Sequence, residues 1–327
     1  MKKYKFVIAV FIFIFGLVLG LCVLREHQSF YVDDEETNRE QMDFILPSQE
    51  IEDMLNTESL KTEKEEPETE WIPNVEEINI HVTTQKDIDK ISELTTLKSL
   101  YISISAEGMK AGVDLSPLGK LNNLRKLTII LDLVGTMDLS FIGQLSSLEY
   151  LSLDRFTDID DLFFLERMPT LNEIYIEYVK DVDLSYLQNN HELQVIYICG
   201  GNIRHMECLG QLERVKWVYL EETHLLYGEE KNEREVLNLE VMSNMKSLRE
   251  LSLTSVRVDD VSPLRNLDEL QFIHLEDTGI EDIEPLKDLK SLRTLHVMGT
   301  ESELVKKQAE TYFNHVPNVY ITEERSP

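Results

Sequence analysis

The sequence has few cysteines and few basic residues, and each shortage excludes a class of protein. Three of its 327 residues are cysteine, which is too few for a disulfide framework. Cys199 and Cys208 belong to one unit of a sequence repeat and fall on its two opposite sides. Because opposite sides are too far apart for a disulfide bond, free thiols are favoured over a bridge. Lysine and arginine number 32 against 61 acidic residues, for a net charge of −29. Because nucleic-acid binding needs clustered positive charge, no nucleic-acid partner is expected.

Local catalytic motifs are also missing. The sequence contains no glycine-rich phosphate loop, no G-x-S-x-G turn and no H-E-x-x-H helix. His274 and His296, with Glu250 and Glu276 nearby, could in principle bind zinc, but no compact ligand spacing supports this. We therefore expect a protein that is not an enzyme and that has no cofactor and no metal site.

One long hydrophobic run is present, at the N-terminus. Lys2, Lys3 and Lys5 precede 19 apolar residues from Phe6 to Leu24, enough to span a bilayer as a helix. Residues 1–27 are thus predicted to be a single-pass membrane anchor with a cytoplasmic N-terminus and the rest of the chain outside. Two alternatives stay open, a cleaved secretion signal and lipidation at Cys22, since residues 19–22 resemble the lipobox of bacterial lipoproteins.

Residues 28–70 differ in composition from the rest of the chain. Residues 33–70 carry 15 acids and 3 bases and few large apolar side chains. Such a segment buries too little to offset its ordering entropy, and its like charges repel one another. We predict an acidic, disordered tether between the anchor and the next domain.

A recurring pattern, Leu-x-x-Leu-x-Leu with conservative replacements, fills most of the remaining sequence. It begins eleven times, mostly at steps of 22 to 24 residues, with two longer steps of 27 and 33. A period in this range is typical of a leucine-rich-repeat solenoid, in which neighbouring units share one core. The predicted fold is an α/β-type repeat horseshoe with about eleven parallel strands on its concave face and a C-terminal helical cap. The starting residues are Val75, Leu97, Leu124, Leu148, Leu171, Leu193, Val215, Leu248, Leu270, Leu292 and Val316.

Three segments resemble the internalin type of bacterial leucine-rich repeat: TGIEDIEPLKDL at 278–289, VRVDDVSPLRNL at 256–267 and VDLSPLGKLNNL at 113–124. The repeats cover about three quarters of the chain. The resemblance implies a solenoid at 71–300. It also implies a role similar to that of cell-surface adhesins and receptors.

Residues 301–327 are predicted to close the solenoid with a helix and a last strand. Thr300 and Glu303 have the spacing of a capping box. The apolar face expected for the helix consists of Leu304, Val305, Ala309, Tyr312 and Phe313.

The candidate site lies on the concave face, where the same non-leucine position of successive strands forms a column whose neighbouring residues are about 4.8 Å apart. Exposed aromatic residues with a polar rim are typical of an interface centre, which predicts a protein ligand. Acidic residues of a third column, Asp154 and Glu276 among them, are expected along one rim, and they favour a basic or hydrogen-bonding partner. The predicted ligand-binding residues are Tyr150, Tyr175, Val195, Tyr197, Trp217, Tyr219, Glu177, Glu221, Phe272 and His274.

The sequence leaves two features open. Residues 224–240 are an insertion beside the aromatic cluster, suited equally to a functional loop and to a disordered excursion. The function also has a rival, a cell-envelope scaffold that self-associates or regulates a membrane partner without an external ligand.

Overall fold

A computed structural model describes residues 75–156, 162–225 and 236–323. The predicted anchor at 1–27, the predicted tether at 28–70 and most of the 224–240 insertion lie outside the described residues. Within the described ranges, no helix is both long enough and apolar enough to cross a membrane.

One sheet of eleven parallel strands runs through the molecule, and its strands are ordered as they are in the chain. Each repeat contributes one strand, paired with the strand of the next repeat. The strands are β1 (Glu77–Val82), β2 (Ser99–Ile104), β3 (Lys126–Gly135), β4 (Tyr150–Phe156), β5 (Glu173–Glu177), β7 (Val195–Cys199), β9 (Trp217–Glu221), β11 (Glu250–Thr254), β12 (Phe272–Glu276), β13 (Thr294–Met298) and β14 (Asn318–Thr322).

The alternation of apolar and polar residues sets the register of this sheet. Leu251 and Leu253 of β11 are fully buried, whereas Glu250 between the repeat leucines is half-exposed. A slip of one residue would move every leucine to the other face. The repeat leucines, isoleucines and valines form one continuous core along the array, as the repeat pattern predicts.

Short 3-10 helices form most of the return wall opposite the sheet. Pro117, Pro263 and Pro285 each stand at the first or second position of such a helix, where their missing N–H costs nothing. The first repeat instead carries a short α-helix, α1 (Gln85–Ile91), and the second carries a short α-helix, α2 (Ala106–Ala111), before its 3-10 helix. The 3-10 helices span Ser116–Lys120, Ser140–Gln144, Phe163–Arg167, Leu184–Leu187, Met206–Gln211, Leu239–Met242, Ser262–Asn266 and Glu284–Leu286.

A second sheet, not predicted from the sequence, lies beside three consecutive repeats. Its strands are β6 (Asp181–Asp183), β8 (Asn202–Arg204) and β10 (His224–Leu225), in the parallel order β10–β8–β6. They follow β5, β7 and β9, so these three repeats are hydrogen-bonded to one another along two walls rather than one.

The turn from the sheet into the return wall has left-handed backbone in seven consecutive repeats. Glycine adopts this conformation without strain, but most of these positions carry a side chain, at a cost of about 1 kcal/mol each. The residues are Arg155, Tyr178, Gly200, Glu222, Ser255, Asp277 and Gly299.

The predicted C-terminal helix and last strand are present, but the helix differs in detail. Helix α3 (Glu303–Tyr312) has Ser302 as its N-cap, whose hydroxyl accepts a hydrogen bond from the Val305 N–H at 3.3 Å. The prediction of Thr300 as the capping residue is therefore wrong by two positions. Thr300 has another role, since its hydroxyl accepts a hydrogen bond from the Ser302 N–H.

The apolar face predicted for α3 is also wrong in part. Val305 and Phe313 are buried, but Leu304 is 52% exposed and Tyr312 is exposed as well. Gln308 is buried instead, because its amide bonds the preceding repeat: Oε1 accepts from the Ile283 N–H at 2.9 Å and Nε2 donates to Asp282 at 2.7 Å. The hydrogen bonds of Gln308 thus help to hold α3 against the solenoid, a role that the sequence analysis assigned to apolar residues alone.

Cys199 and Cys208 are free and buried, as predicted. Burial, together with the nearby carboxylates of Glu221 and Glu177, raises the pKa of the Cys199 thiol to about 12. A thiol held protonated in this way is a poor nucleophile at neutral pH.

Candidate functional site

Four tyrosines form a continuous row on the face of the sheet that points away from the core. We call Tyr150, Tyr175, Tyr197 and Tyr219 the tyrosine ladder. Their ring centroids are 5.1, 5.8 and 6.0 Å apart in that order, with interplanar angles of 32°, 33° and 49°. Tyr175, Tyr197 and Tyr219 are direct register partners on β5, β7 and β9, as the columns of the sequence predict. Tilted rings at these separations attract one another.

The ladder is half-buried rather than open to solvent, which corrects the expectation of fully exposed rings. Each ring covers part of its neighbour, so the row shields itself. Burial raises the pKa of Tyr150, and it raises the pKa of Tyr197 strongly, with the Glu221 carboxylate adding to the shift. The phenols stay protonated at neutral pH and act as hydrogen-bond donors.

The ladder hydroxyls bond to nearby carboxylates. The Tyr175 hydroxyl donates to Glu173 Oε2 at 3.2 Å, and the Tyr197 hydroxyl donates to Glu221 Oε2 at 3.3 Å. These contacts fix the orientation of two rings before any ligand arrives. The surface therefore combines preorganised aromatic area with negative charge.

The neighbouring column contributes the other predicted apolar residues. Val195 pairs in register with Trp217, and Phe272 lies two strands further along, with Glu250 between. Val195, Trp217 and Phe272 are all half-exposed. The Lys216 ammonium lies 5.6 Å from the Trp217 ring centroid, a cation–π distance. Val195 and Trp217 adjoin the ladder, whereas Phe272 lies apart from it.

The third column divides into accessible and buried acids. Glu177 and Glu221 are half-exposed beside the ladder, as expected for a rim. Asp154 and Glu276 are 8% and 1% exposed, so the expectation that they line the rim is wrong. His274 Nε2 lies 3.2 Å from Glu276 Oε2, and a buried carboxylate needs such a partner.

Asp154 is poorly compensated for a buried carboxylate. Its Oδ1 is buried and has no hydrogen-bond partner, and Arg155 Nε lies 3.6 Å from Oδ2. Burial raises the pKa of Asp154 to about 6, with Arg155 lowering it in partial opposition. Burial also raises the pKa of Tyr101, and the Asp154 charge is the next cause. Sequence reasoning placed Asp154 in a concave column, but the sequence carries no signal that Asp154 interacts with Tyr101.

His274 belongs to a second polar cluster toward the C-terminal end of the sheet. Its Nδ1 lies 3.4 Å from Nδ1 of His296, and the His296 ring meets Tyr320 edge-on with centroids 4.6 Å apart. Burial lowers the pKa of His296. In the part of the chain that the structure describes, no group of three or more His, Cys, Asp or Glu side chains is placed to hold a metal ion.

The structure thus separates the predicted site residues into two groups. Phe272 and His274 lie on β12, toward the C-terminal end. The other eight residues form one patch, which consists of Tyr150, Tyr175, Val195, Tyr197, Trp217, Tyr219, Glu177 and Glu221. All residues of the patch except Tyr150 belong to the three repeats that share the second sheet. These repeats are hydrogen-bonded to one another through β5, β7 and β9 in the main sheet and through β6, β8 and β10 in the second sheet. Both sheets therefore hold the spacing of Tyr175, Tyr197 and Tyr219.

Comparison with solved structures agrees with this architecture. A leucine-rich-repeat protein of Leptospira interrogans is 18% identical over 71% of this chain and 63% of its own, with a TM-score of 0.52. The chain has the leucine-rich-repeat fold. A plant peptide hormone receptor in complex with RGF2 shares that fold at 15% identity and a TM-score of 0.50, with 71% of this chain and 37% of that one covered.

Internalins are also among the similar structures, as the repeat sequences indicated. Internalin C2 of Listeria monocytogenes is 22% identical, over 64% of this chain and 81% of its own, with a TM-score of 0.46. No protein-family model matches this leucine-rich-repeat chain, and no curated protein matches it by sequence.

Proposed function

We propose that this leucine-rich-repeat protein binds a protein ligand noncovalently through its concave face, without catalysis. The observation that carries the proposal is the tyrosine ladder with Trp217 beside it. Tyrosine and tryptophan bury large areas at low entropic cost and dominate binding energy at interfaces. A row already ordered by ring contacts and by the second sheet loses little further freedom on binding.

The negative charge of this protein favours a ligand with basic side chains. Glu177 and Glu221 flank the ladder, and the chain carries a net charge of −29. A ligand with lysine or arginine side chains gains attraction at long range and hydrogen bonds at the rim. The plant receptor above, described as in complex with RGF2, supports a peptide or protein as the class of ligand.

We further propose that recognition takes place outside the cytoplasmic membrane, as adhesion or ligand capture at the cell surface. The apolar run from Phe6 to Leu24 supports this, because 19 residues after three lysines suit an N-terminal anchor. Lipidation at Cys22, or secretion after cleavage, would give the same side of the membrane.

The test is a double substitution in the ladder patch. Tyr197→Ala with Trp217→Ala removes two half-buried rings, and we expect ligand capture from cell-surface extracts to fall at least about 30-fold, equivalent to about 2 kcal/mol. The full chain in detergent is the bait, and bound protein is measured by quantitative mass spectrometry. The matched control is Leu304→Ala with Tyr312→Ala, two exposed residues of α3.

Unaltered capture by the ladder variant removes the site assignment. Circular dichroism melts separate loss of binding from loss of fold, since both variants should retain cooperative unfolding. A loss of capture that appears equally in the α3 control also contradicts the proposal.

A further inference from the structure

The last strand of the main sheet has an outer edge that no described strand pairs with. Strand β14 stands at the end of the strand order, next to β13 alone. Val319 and Ile321, its inward-facing residues, are only partly buried, whereas Leu295 and Val297 at the same positions of β13 are fully buried. The end of the core is therefore still partly open at β14.

The hydrogen bonds to β13 show which backbone groups of β14 point outward. The Asn318 N–H donates to the Arg293 carbonyl at 3.1 Å, and the Thr322 carbonyl accepts from the Thr300 N–H at 3.2 Å. Both residues thus direct their backbone groups toward β13. Because this direction alternates along a strand, Tyr320 also faces β13, and the N–H and C=O of Val319 and Ile321 point away from it.

The side chains of β14 lack the usual protection against edge-to-edge pairing. Natural edge strands carry charges, proline or bulges that prevent another chain from adding. The five residues of strand β14, Asn-Val-Tyr-Ile-Thr, include none of these, although Pro317 stands directly before the strand and the chain as a whole is strongly acidic. Glu323, directly after the strand, is paired with Lys306 at 2.7 Å.

We propose that this edge is a self-association surface on which a second copy of the chain adds its own β14 in antiparallel orientation. A two-fold axis then passes between the two Tyr320 residues. Val319 of one copy lies opposite Ile321 of the other, and Asn318 lies opposite Thr322. No like charges oppose each other within the strand pair.

The backbone geometry fits this register. With Tyr320 opposite Tyr320, Val319 and Ile321 of the two copies form two mutually hydrogen-bonded pairs, four bonds in all. The Tyr320 pair is then of the non-hydrogen-bonded type, with Cα atoms about 4.5 Å apart. Tyr320 is 53% exposed, so contact between the two rings removes apolar area from water. The interface is smaller than a standard one, and a dissociation constant in the micromolar range is expected.

Cysteine cross-linking tests the register. In the full chain carrying Cys22→Ser, Tyr320→Cys places two thiols at the axis, within the Cα range of a disulfide. We expect mild oxidation in detergent to give at least tenfold more covalent dimer than with Tyr312→Cys, the exposed control on α3. Asn318→Cys alone should not cross-link, whereas a mixture of Asn318→Cys and Thr322→Cys chains should.

Sedimentation equilibrium of the full chain tests the association itself. We expect Tyr320→Asp, which opposes two carboxylates at the axis, to weaken dimerisation at least tenfold, and Tyr312→Asp to leave it unchanged. A monomeric wild-type chain at about 100 µM, or dimers insensitive to Tyr320→Asp, would overturn the proposal. Amide exchange at Val319 and Ile321 that is slow even in a dilute monomer overturns it too, because the chain's own remaining segments would then cover the edge.

This surface is separate from the tyrosine ladder, and its assays contain only purified chain. Failure of the edge proposal therefore leaves ligand recognition untouched. Unaltered ligand capture by the ladder variant, which would remove the ladder proposal, likewise leaves the edge proposal untouched.

Discussion

Asp154 has a carboxylate in a place that favours its neutral form. Its Oδ1 is buried without a partner, and burial raises its pKa to about 6 from an ordinary value of 3.8. Between those two values the folded chain binds more protons than the unfolded chain. The unfolding free energy therefore falls as pH rises through this window, by about 3 kcal/mol for a shift of about two units. Such a cost is common where function rather than stability sets the residue.

Asp154→Asn should consequently stabilise the chain at pH 7. We expect an unfolding free energy higher by about 1–3 kcal/mol at pH 7 and a smaller dependence on pH between about 4 and 6, since the ionisable group is gone. Urea titrations across that range measure both quantities. The exposed Asp259→Asn removes the same charge without relieving burial, and it should change stability by less than about 0.5 kcal/mol. An Asp154→Asn chain less stable at pH 7 than the wild type would contradict this account.

At the scale of the strand and turn, two glycines with the same backbone conformation stand in different surroundings. Gly201 has a φ of 80° and Gly279 a φ of 76°. A Cβ added at Gly201 would lie 1.8 Å from the Val179 carbonyl oxygen, whereas one at Gly279 would meet nothing within 4 Å. One site is thus restricted by conformation and by close packing, and the other by conformation alone.

We expect Gly279→Ala to lower the unfolding free energy by about 1 kcal/mol, the cost of left-handed backbone for alanine. Gly201→Ala should cost several times as much, because the Val179 peptide must move. Chemical denaturation of the two variants in parallel measures the difference. Equal losses would show that the close approach of the chain to Gly201 has no energetic consequence.

The strands of the main sheet were predictable from the sequence because they follow the period of the repeat. The inward Leu251 and Leu253 and the register of Tyr175, Tyr197 and Tyr219 follow from a repeat that returns every 22 or so residues and a strand period of two. Proline near the start of a return segment, such as Pro285, likewise disfavours regular strand pairing there, because proline has no backbone N–H to donate.

Other elements have no periodic signature. Strands β6, β8 and β10 are two or three residues long, too short to show alternation in the sequence. The burial of Asp154 and Glu276 depends on how adjacent strands pack, which a column of residues does not reveal. At α3, Thr300 and Ser302 are both acceptable caps, and local geometry decides between them.

At the scale of the whole molecule, charge and shape act together. The chain carries a net charge of −29, and the centre of its candidate binding face is aromatic. Attraction by such a field accelerates the encounter with a basic partner, and salt screens it over about 8–10 Å at physiological strength.

The two proposed surfaces should therefore respond to salt in opposite directions. We expect the association rate constant for the ligand to fall about tenfold or more between about 50 and 300 mM salt, because attraction is screened. Pairing through β14 should strengthen over the same range, because screening reduces repulsion between two acidic chains. Stopped-flow mixing measures the first effect and sedimentation the second. A ligand on-rate independent of salt would rule out the basic partner.

The chain order of the main sheet has a consequence for how the protein is made. Every strand pairs with the strand of the preceding repeat, so no repeat waits for a distant part of the chain before it can stack. Folding can start at the first completed repeats and advance while the rest is still being synthesised. At each step the most recently folded repeat exposes leucines that the next repeat will cover. Helix α3, held by Gln308, covers the last repeat on the side of the 3-10 helices. On the side of the main sheet, β14 is the last strand and its outer edge stays unpaired among the described residues.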